Sequence, residues 1–162
     1  MTGAPALRTA TPADRAAIEA LLAAAELPTV GIATLLADHA ADFVVATDPA
    51  DPEQLVAVAG LERCGARVAL LRSVAVHPSW RSHGLARDAV RALLAHADDA
   101  GLDALYLLTT TAQEYFPRFG FTRVARTAVP DAIAATAEFT DACPASAIVM
   151  VRPVRSTATV SA

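Results

Sequence analysis

The sequence predicts a mixed α/β fold, and three observations carry that prediction. Apolar residues recur at helical spacing early in the chain and again in its middle. Residues 42–76 hold three β-rich runs separated by turn residues, as in an antiparallel meander. A strand–loop–helix–strand unit then spans residues 67–108, the kind of unit where binding sites concentrate. With 162 residues, of which 54% are hydrophobic, the chain suits a single domain over residues 1–155 with its own core. Residues 156–162 read as a frayed polar tail.

Residues 6–10 form a short strand. Thr11 and Pro12 then open a helix, Thr11 as its cap and Pro12 at its first position. Ile18, Leu21, Leu22 and Ala25 give that helix one apolar stripe, and Pro28 ends it. A second helix covers residues 32–39. Strands follow at 42–47, 55–64 and 67–76, the first two divided by the turn Asp48-Pro49-Ala50-Asp51-Pro52. A long helix at 85–100 buries Leu85, Ala89, Leu93 and Ala97, with Ala86, Val90 and Leu94 beside them, and Gly101 caps it. Residues 104–108 are a buried strand, and a short helix ends at Phe119-Gly120-Phe121. Residues 122–143 are ambiguous apart from a helix at 130–139, and 147–151 make the last strand.

Charge and cysteine content narrow the function. Formal net charge is −4, and all 13 cations are arginine. An acidic balance argues against nucleic acid and against anionic membranes as partners. No run approaches the roughly 20 apolar residues of a membrane span, and Thr11-Pro12-Ala13-Asp14-Arg15 interrupts any leader-like segment. Two cysteines, Cys64 and Cys143, are too few for a disulfide framework, so a reducing cytoplasm is expected. His39, His77, His83 and His96 lack metal-ligand spacing, so no metal is expected.

One stretch carries chemistry: Val74-Ala75-Val76-His77-Pro78-Ser79-Trp80-Arg81-Ser82-His83-Gly84-Leu85-Ala86. A buried strand runs into a loop that opens a long helix. Backbone amides of Ser82, His83, Gly84, Leu85 and Ala86 then gather at the helix's positive end, which suits a pyrophosphate. Gly84 and Ala86 permit close approach, and Arg81 and Arg87 add charge.

The spacing Arg81-x-x-Gly84-x-Ala86 after a strand ending Val76-His77-Pro78 resembles the acetyl-CoA motif of the GNAT superfamily of N-acetyltransferases. Ala112-Gln113-Glu114-Tyr115-Phe116-Pro117-Arg118-Phe119-Gly120-Phe121 is similar to that superfamily's later element. The resemblance covers about residues 6–152. It implies a mostly antiparallel sheet of six to seven strands flanked by helices, with one splayed strand pair. It implies acetyl-CoA as co-substrate and a small-molecule amine as acceptor; a homodimer stays open. Val74, Ala75 and Val76 would line the pantetheine, with the Val76 backbone as oxyanion contact. The position that commonly protonates the departing thiolate is Phe116, which has no proton to give but would still line the CoA.

Leu108-Thr109-Thr110, Tyr115-Phe116 and the ending Ser146-Ala147-Ile148-Val149-Met150 resemble the GNAT domain of bacterial N-acetylglutamate synthases. The string through Ala137-Glu138-Phe139 to Cys143-Pro144-Ala145-Ser146 is similar to the arsenic-resistance-associated branch. The synthases' glutamate-binding arginines are missing, at Pro144 and around Val30-Gly31, while Ser146 is kept. An amino acid or a toxic amino-acid analogue is therefore the expected acceptor. A glutamate synthase and a catalytically silent acyl-CoA or arsenical module are the alternatives.

Five residues remain as site candidates. Glu62 is either the general base or a solvated strand-end carboxylate. Arg72, a charge inside a β-rich run, meets an acceptor carboxylate, snorkels outward or pairs internally. Thr109, Thr110 and Ser146 stand where acceptor contacts belong, with Thr111 expected to cap the next helix. Cys64 and Cys143 read as small buried hydrophobes, an arsenical contact at Cys143 being the sharper alternative.

Overall fold

Arg8 and Asp14 set the first turn of the chain. The Arg8 guanidinium donates two hydrogen bonds to the Asp14 carboxylate, at 2.8 and 2.9 Å, and Thr11 N–H donates to the same carboxylate at 2.8 Å. Strand β1 (Leu7–Thr9) therefore passes into a 3-10 turn over Pro12–Asp14 before helix α1 (Arg15–Ala24) begins. The helix starts later than Pro12 because the capping contacts close a three-residue turn first. It also stops before Pro28: Glu26 turns left-handed at φ 58° just beyond Ala24. The computed structural model describes residues 4–142 and 146–154, so Cys143 and the expected tail at 156–162 lie outside the described residues.

Helix α2 (Ile32–His39) leads to strands β2 (Phe43–Asp48), β3 (Asp51–Cys64) and β4 (Val68–Val76). Strand β3 starts at Asp51, earlier than its polar first residues suggest, because Asp48 and Asp51 pair across a two-residue connection. Helix α3 (Leu85–Asp99) ends as expected on Gly101, at φ 74°, where Leu102 N–H reaches back to the Ala97 carbonyl. Strand β5 (Ala104–Thr109) follows.

The ambiguous stretch holds a strand the sequence did not announce, β6 (Thr122–Val124), which pairs antiparallel with β7 (Ile148–Pro153). The expected helix at 130–139 is broken. Helix α4 (Asp131–Ala134) stops as Thr136 Oγ1 donates to the Ile133 carbonyl and accepts from Phe139 N–H, and a π-turn covers Glu138–Ala142. The expected helix before Phe119 is a 3-10 turn, Phe116–Phe119, ended by Gly120 at φ 90°.

Among the described residues, the sheet has seven strands in the order β1-β2-β3-β4-β5-β7-β6. Strands β1, β2 and β3 pair antiparallel in sequence, as do β5, β7 and β6. The β4–β5 pair is parallel, and its register covers Val68–Leu70 against Ala104–Tyr106, although β4 runs on to Val76 and β5 to Thr109. The predicted α/β class, strand number and mostly antiparallel sheet are thus found.

The chain divides into two compact units. Residues 1–61 with 73–93 form one, and its core joins Ile18, Leu22, Ile32, Leu36, Phe43, Val45 and Val58. Residues 62–72 with 94–162 form the other, where Cys64, Leu70 and Ile133 pack with Tyr106, Leu108, Val129 and Phe139.

Candidate functional site

In the first unit, the end of β4 is held by its neighbour: His77 N–H donates to the Val56 carbonyl at 2.8 Å. Val76 and Trp80 pack on Ala46, Val56, Ala57 and Leu85, which anchors both ends of the intervening loop. A 3-10 turn at Pro78–Trp80 follows, and His77 Nδ1 accepts from Ser79 N–H at 3.1 Å. His77 therefore stabilises the turn.

Ser82 and Gly84 are both left-handed, at φ 69° and 77°. They bracket His83 and curl the backbone just before α3 begins, a curvature that gathers amides on one side. His83 folds back, its Nδ1–H donating to the Arg81 carbonyl at 2.9 Å, with its ring 5.3 Å from that of Trp80. Arg81, Ser82 and His83 are exposed, while Leu85 roots the helix in the core. A Cβ at Gly84 would sit 2.7 Å from Arg87 Nη2, so the guanidinium lies directly over the glycine. Arg81 in the exposed loop and Arg87 in the first turn of the 15-residue helix thus stand on either side of Gly84 in sequence.

The second unit holds a charged cluster. Arg72 is buried, its side chain 1% exposed, and its Nη1 donates to Glu62 Oε1 at 2.8 Å. Arg72 Nε also lies 3.5 Å from Glu138 Oε2, within ion-pair reach. Of the readings open for Arg72, internal pairing is the one present. Glu138 is nine-tenths buried and its Oε2 accepts no hydrogen bond. Burial pushes the Glu138 carboxyl above its ordinary range, the Arg72 charge opposing this and the Glu62 charge adding to it. Glu138 was missed as a candidate because an isolated carboxylate in an alanine-rich segment reads as a solvated helix residue. Only its burial against residues from distant segments distinguishes it.

Ser73, next to Arg72, is the other surprise. It is buried and left-handed at φ 62° inside a strand, a conformation that costs a non-glycine residue about 1–2 kcal/mol. No sequence signal marks it.

At the end of β5, Thr109 Oγ1 accepts from Ala112 N–H at 2.8 Å and Thr111 N–H at 3.3 Å. Thr109, not Thr111, caps the following turn. Thr110 and Ser146 are exposed. Phe116 is buried among Tyr115, Phe119 and Phe121, with ring centroids 5.3–6.4 Å away. Arg118 lies over the Tyr115 ring at 4.3 Å. Cys64 is a buried free thiol pushed up to about 11, by burial first and then by the Glu62 charge. Among the described residues, no group of three His, Cys, Asp or Glu is placed to hold a metal ion. Among them too, no helix is long and apolar enough to cross a membrane.

Comparison with known proteins adds three findings. No curated protein matches the chain by sequence. Among solved structures, Rv2747 from Mycobacterium tuberculosis, in complex with CoA and NLQ, superposes with a TM-score of 0.77 at 26% identity, over 93% of this chain and 100% of that one. N-acetylglutamate synthase from Neisseria gonorrhoeae, complexed with coenzyme A and N-acetyl-glutamate, gives 0.76 at 19% identity, over 96% of this chain. This chain spans only 36% of that synthase, and at such identity the likeness is one of fold. A GNAT acetyltransferase from Staphylococcus aureus gives 0.78 at 13% identity, over 94% of this chain and 100% of that one. The family model described as "Acetyltransferase (GNAT) family" matches residues 34–121, which is more than half of the chain and contains both motifs, and the chain belongs to that family of CoA-dependent N-acetyltransferases.

Proposed function

We propose that this protein transfers the acetyl group of acetyl-CoA to the amine of a small molecule, an amino acid or a toxic amino-acid analogue. The observation that carries the CoA half is the loop at 81–86. Left-handed Ser82 and Gly84 curl it at a helix start, and the Arg87 guanidinium lies over Gly84, a cation at the same end of the helix. The pyrophosphate rests on residues 81–86 with Arg81 and Arg87 flanking it. Val74, Ala75 and Val76 align the pantetheine, and Val76 N–H polarises the thioester carbonyl. Phe116 is an apolar wall of the CoA path and supplies no proton.

The acceptor meets Thr109, Thr110, Ser146 and the Arg72 cluster. Holding amine and thioester together supplies most of the rate. A carboxylate takes the ammonium proton, Glu62 being the one the sequence offers. Nitrogen then attacks the thioester carbon, the C–S bond breaks, and the thiolate takes up a proton. The whole described fold acts as one acetyltransferase domain. A role in arsenic resistance rests on the resemblance of residues 106–147 to that branch.

Acetyl-CoA should raise the melting temperature of the wild type, since a ligand of the folded state stabilises it by mass action. Gly84→Glu places a side chain against Arg87 and a negative charge where phosphate must sit. It should abolish the shift while leaving a folded protein; an undiminished shift refutes the loop assignment. Thiol release across amino acids, phosphonate and arsenical analogues, polyamines and aminoglycosides identifies the acceptor. Glutamate as sole substrate would turn the reading towards a synthase, and no release with any amine towards a silent binding module.

A further inference from the structure

Two left-handed residues bend the loop at 81–86, and they differ in what holds them there. Gly84, at φ 77°, has no Cβ to clash, whereas Ser82, at φ 69°, keeps that conformation only because its surroundings impose it. The side chain of the next residue does so. His83 Nδ1 stands 2.9 Å from the Arg81 carbonyl and 3.2 Å from the Trp80 carbonyl. Both oxygens only accept, so Nδ1 carries the hydrogen and shares it between them. The contact with Arg81 closes a ring of atoms that includes both soft dihedrals of Ser82. Trp80 is fixed in its turn. It packs on Ala46, Val56, Ala57 and Leu85, its N–H donates to the His77 carbonyl at 2.8 Å, and its ring lies 5.3 Å from the imidazole. All of these residues belong to the first unit.

We propose that His83 is a positioning residue for CoA: its Nδ1–H staples the Trp80 and Arg81 carbonyls and so keeps the Arg81 and Ser82 N–H groups free for the pyrophosphate. The inference rests on the reading of residues 81–86 as the pyrophosphate site. A trans peptide points its N–H opposite to its C=O. The Trp80 carbonyl shares its peptide with Arg81 N–H, and the Arg81 carbonyl shares its peptide with Ser82 N–H. With both carbonyls drawn to the imidazole, both N–H groups point away from it. Without the staple, Ser82 returns to the right-handed or β region that a non-glycine residue prefers. A peptide that turns over in that change offers the phosphate a carbonyl oxygen in place of an N–H. His83 therefore acts through the backbone and needs no contact of its own with the ligand.

Substitution separates the donor from the ring. In His83→Asn the amide Nδ2 stands as many bonds from the backbone as the imidazole Nδ1, so it can donate to the Arg81 carbonyl. His83→Phe keeps a ring beside Trp80 but has a C–H where the donor stood. His83→Ala keeps neither. His83 is exposed, so none of the three empties the core. The melting temperature without ligand should stay within about 2 °C of wild type in each.

The test is acetyl-CoA binding by titration calorimetry, with KM and kcat for acetyl-CoA at saturating acceptor. Losing one hydrogen bond that sets the loop in advance should weaken binding by about tenfold. His83→Phe and His83→Ala should each show that loss, with KM raised to match and kcat within about threefold of wild type. His83→Asn should bind within about threefold of wild type. His83→Phe with wild-type affinity overturns the inference, and His83→Ala decides the matter if the Phe variant does not fold. So does His83→Asn as weak as His83→Ala, since the imidazole itself and not its donor to the backbone would then be what CoA requires. A fall in kcat at unchanged KM overturns it too. Gly84→Glu distinguishes this failure from that of the site. Undiminished affinity in Gly84→Glu takes the pyrophosphate off the loop and overturns both readings. Lost affinity there, beside wild-type affinity in His83→Phe, overturns the role of His83 alone.

Discussion

Arg72→Met removes the guanidinium from the cluster while keeping a long apolar side chain. The wild-type side chain is 1% exposed, Glu138 is 10% exposed and Glu62 21%. Truncating one partner of a buried ion pair costs about 3–5 kcal/mol, because the partner's charge is left without compensation. Glu62 has access to water and recovers part of its solvation, so a loss near the lower end, about 3 kcal/mol, is expected. At roughly 2–4 °C per kcal/mol for a chain of this size, melting should fall by about 6–12 °C. The loss should also depend on pH. Burial raises Glu138 in the wild type and Arg72 opposes the rise, so without Arg72 the carboxyl moves higher still. A folded-state value above the unfolded one gives relative stability below the unfolded value and loses it as pH rises through the folded one. The gap between wild type and variant should therefore be widest near pH 8 and narrow towards about pH 5. Urea denaturation at both pH values measures it. A loss below about 1 kcal/mol, equal at the two, would mean that the cluster is solvated like a surface pair and that this reasoning fails.

Gly60→Ala tests the first unit's core. Gly60 and Phe43 face each other in the β2–β3 register, and an added Cβ would overlap the edge of the fully buried Phe43 ring. The ring must move, so a loss of about 1–3 kcal/mol is expected in thermal unfolding, and an unchanged melting temperature refutes the packing. Asp14→Asn tests the chain start, where Arg8 first, and Thr11 as well, hold the carboxyl below its ordinary 3.8. A lowered value means stability present above 3.8 and lost as pH falls through the folded value, so the variant should cost about 1 kcal/mol near neutrality and nothing in strong acid. Equal stability near neutrality would show that the turn closes without the carboxylate.

What the sequence made legible is what local spacing controls. Helix α2 has the expected bounds, and α3 starts at Leu85 with the expected residues of its stripe buried, because periodicity and caps act within a turn or two. The positive φ of Gly84 just before α3 was readable for the same reason: a backbone curl at a helix start is set by a few adjacent residues, and glycine marks it. Strand β6 was not readable. Three residues with two exposed side chains give no alternation, and its ladder comes from β7 far along the chain. The break at Thr136 turns on one hydroxyl that prefers the Ile133 carbonyl to continued helix. Arg72 shows the limit most sharply. Its position inside a β-rich run demanded a reason, and acceptor binding, the expectation, met that demand, as did snorkelling and internal pairing. They diverge only in what stands opposite the guanidinium. One opposing carboxylate, Glu62, lies on the neighbouring strand; the other comes from a π-turn that replaced an expected helix. Had residues 130–139 formed that helix, the backbone placing Glu138 would follow a different path. The hydroxyl that stops α4 at Thr136 therefore belongs to the same structural cause that places the carboxylate beside Arg72.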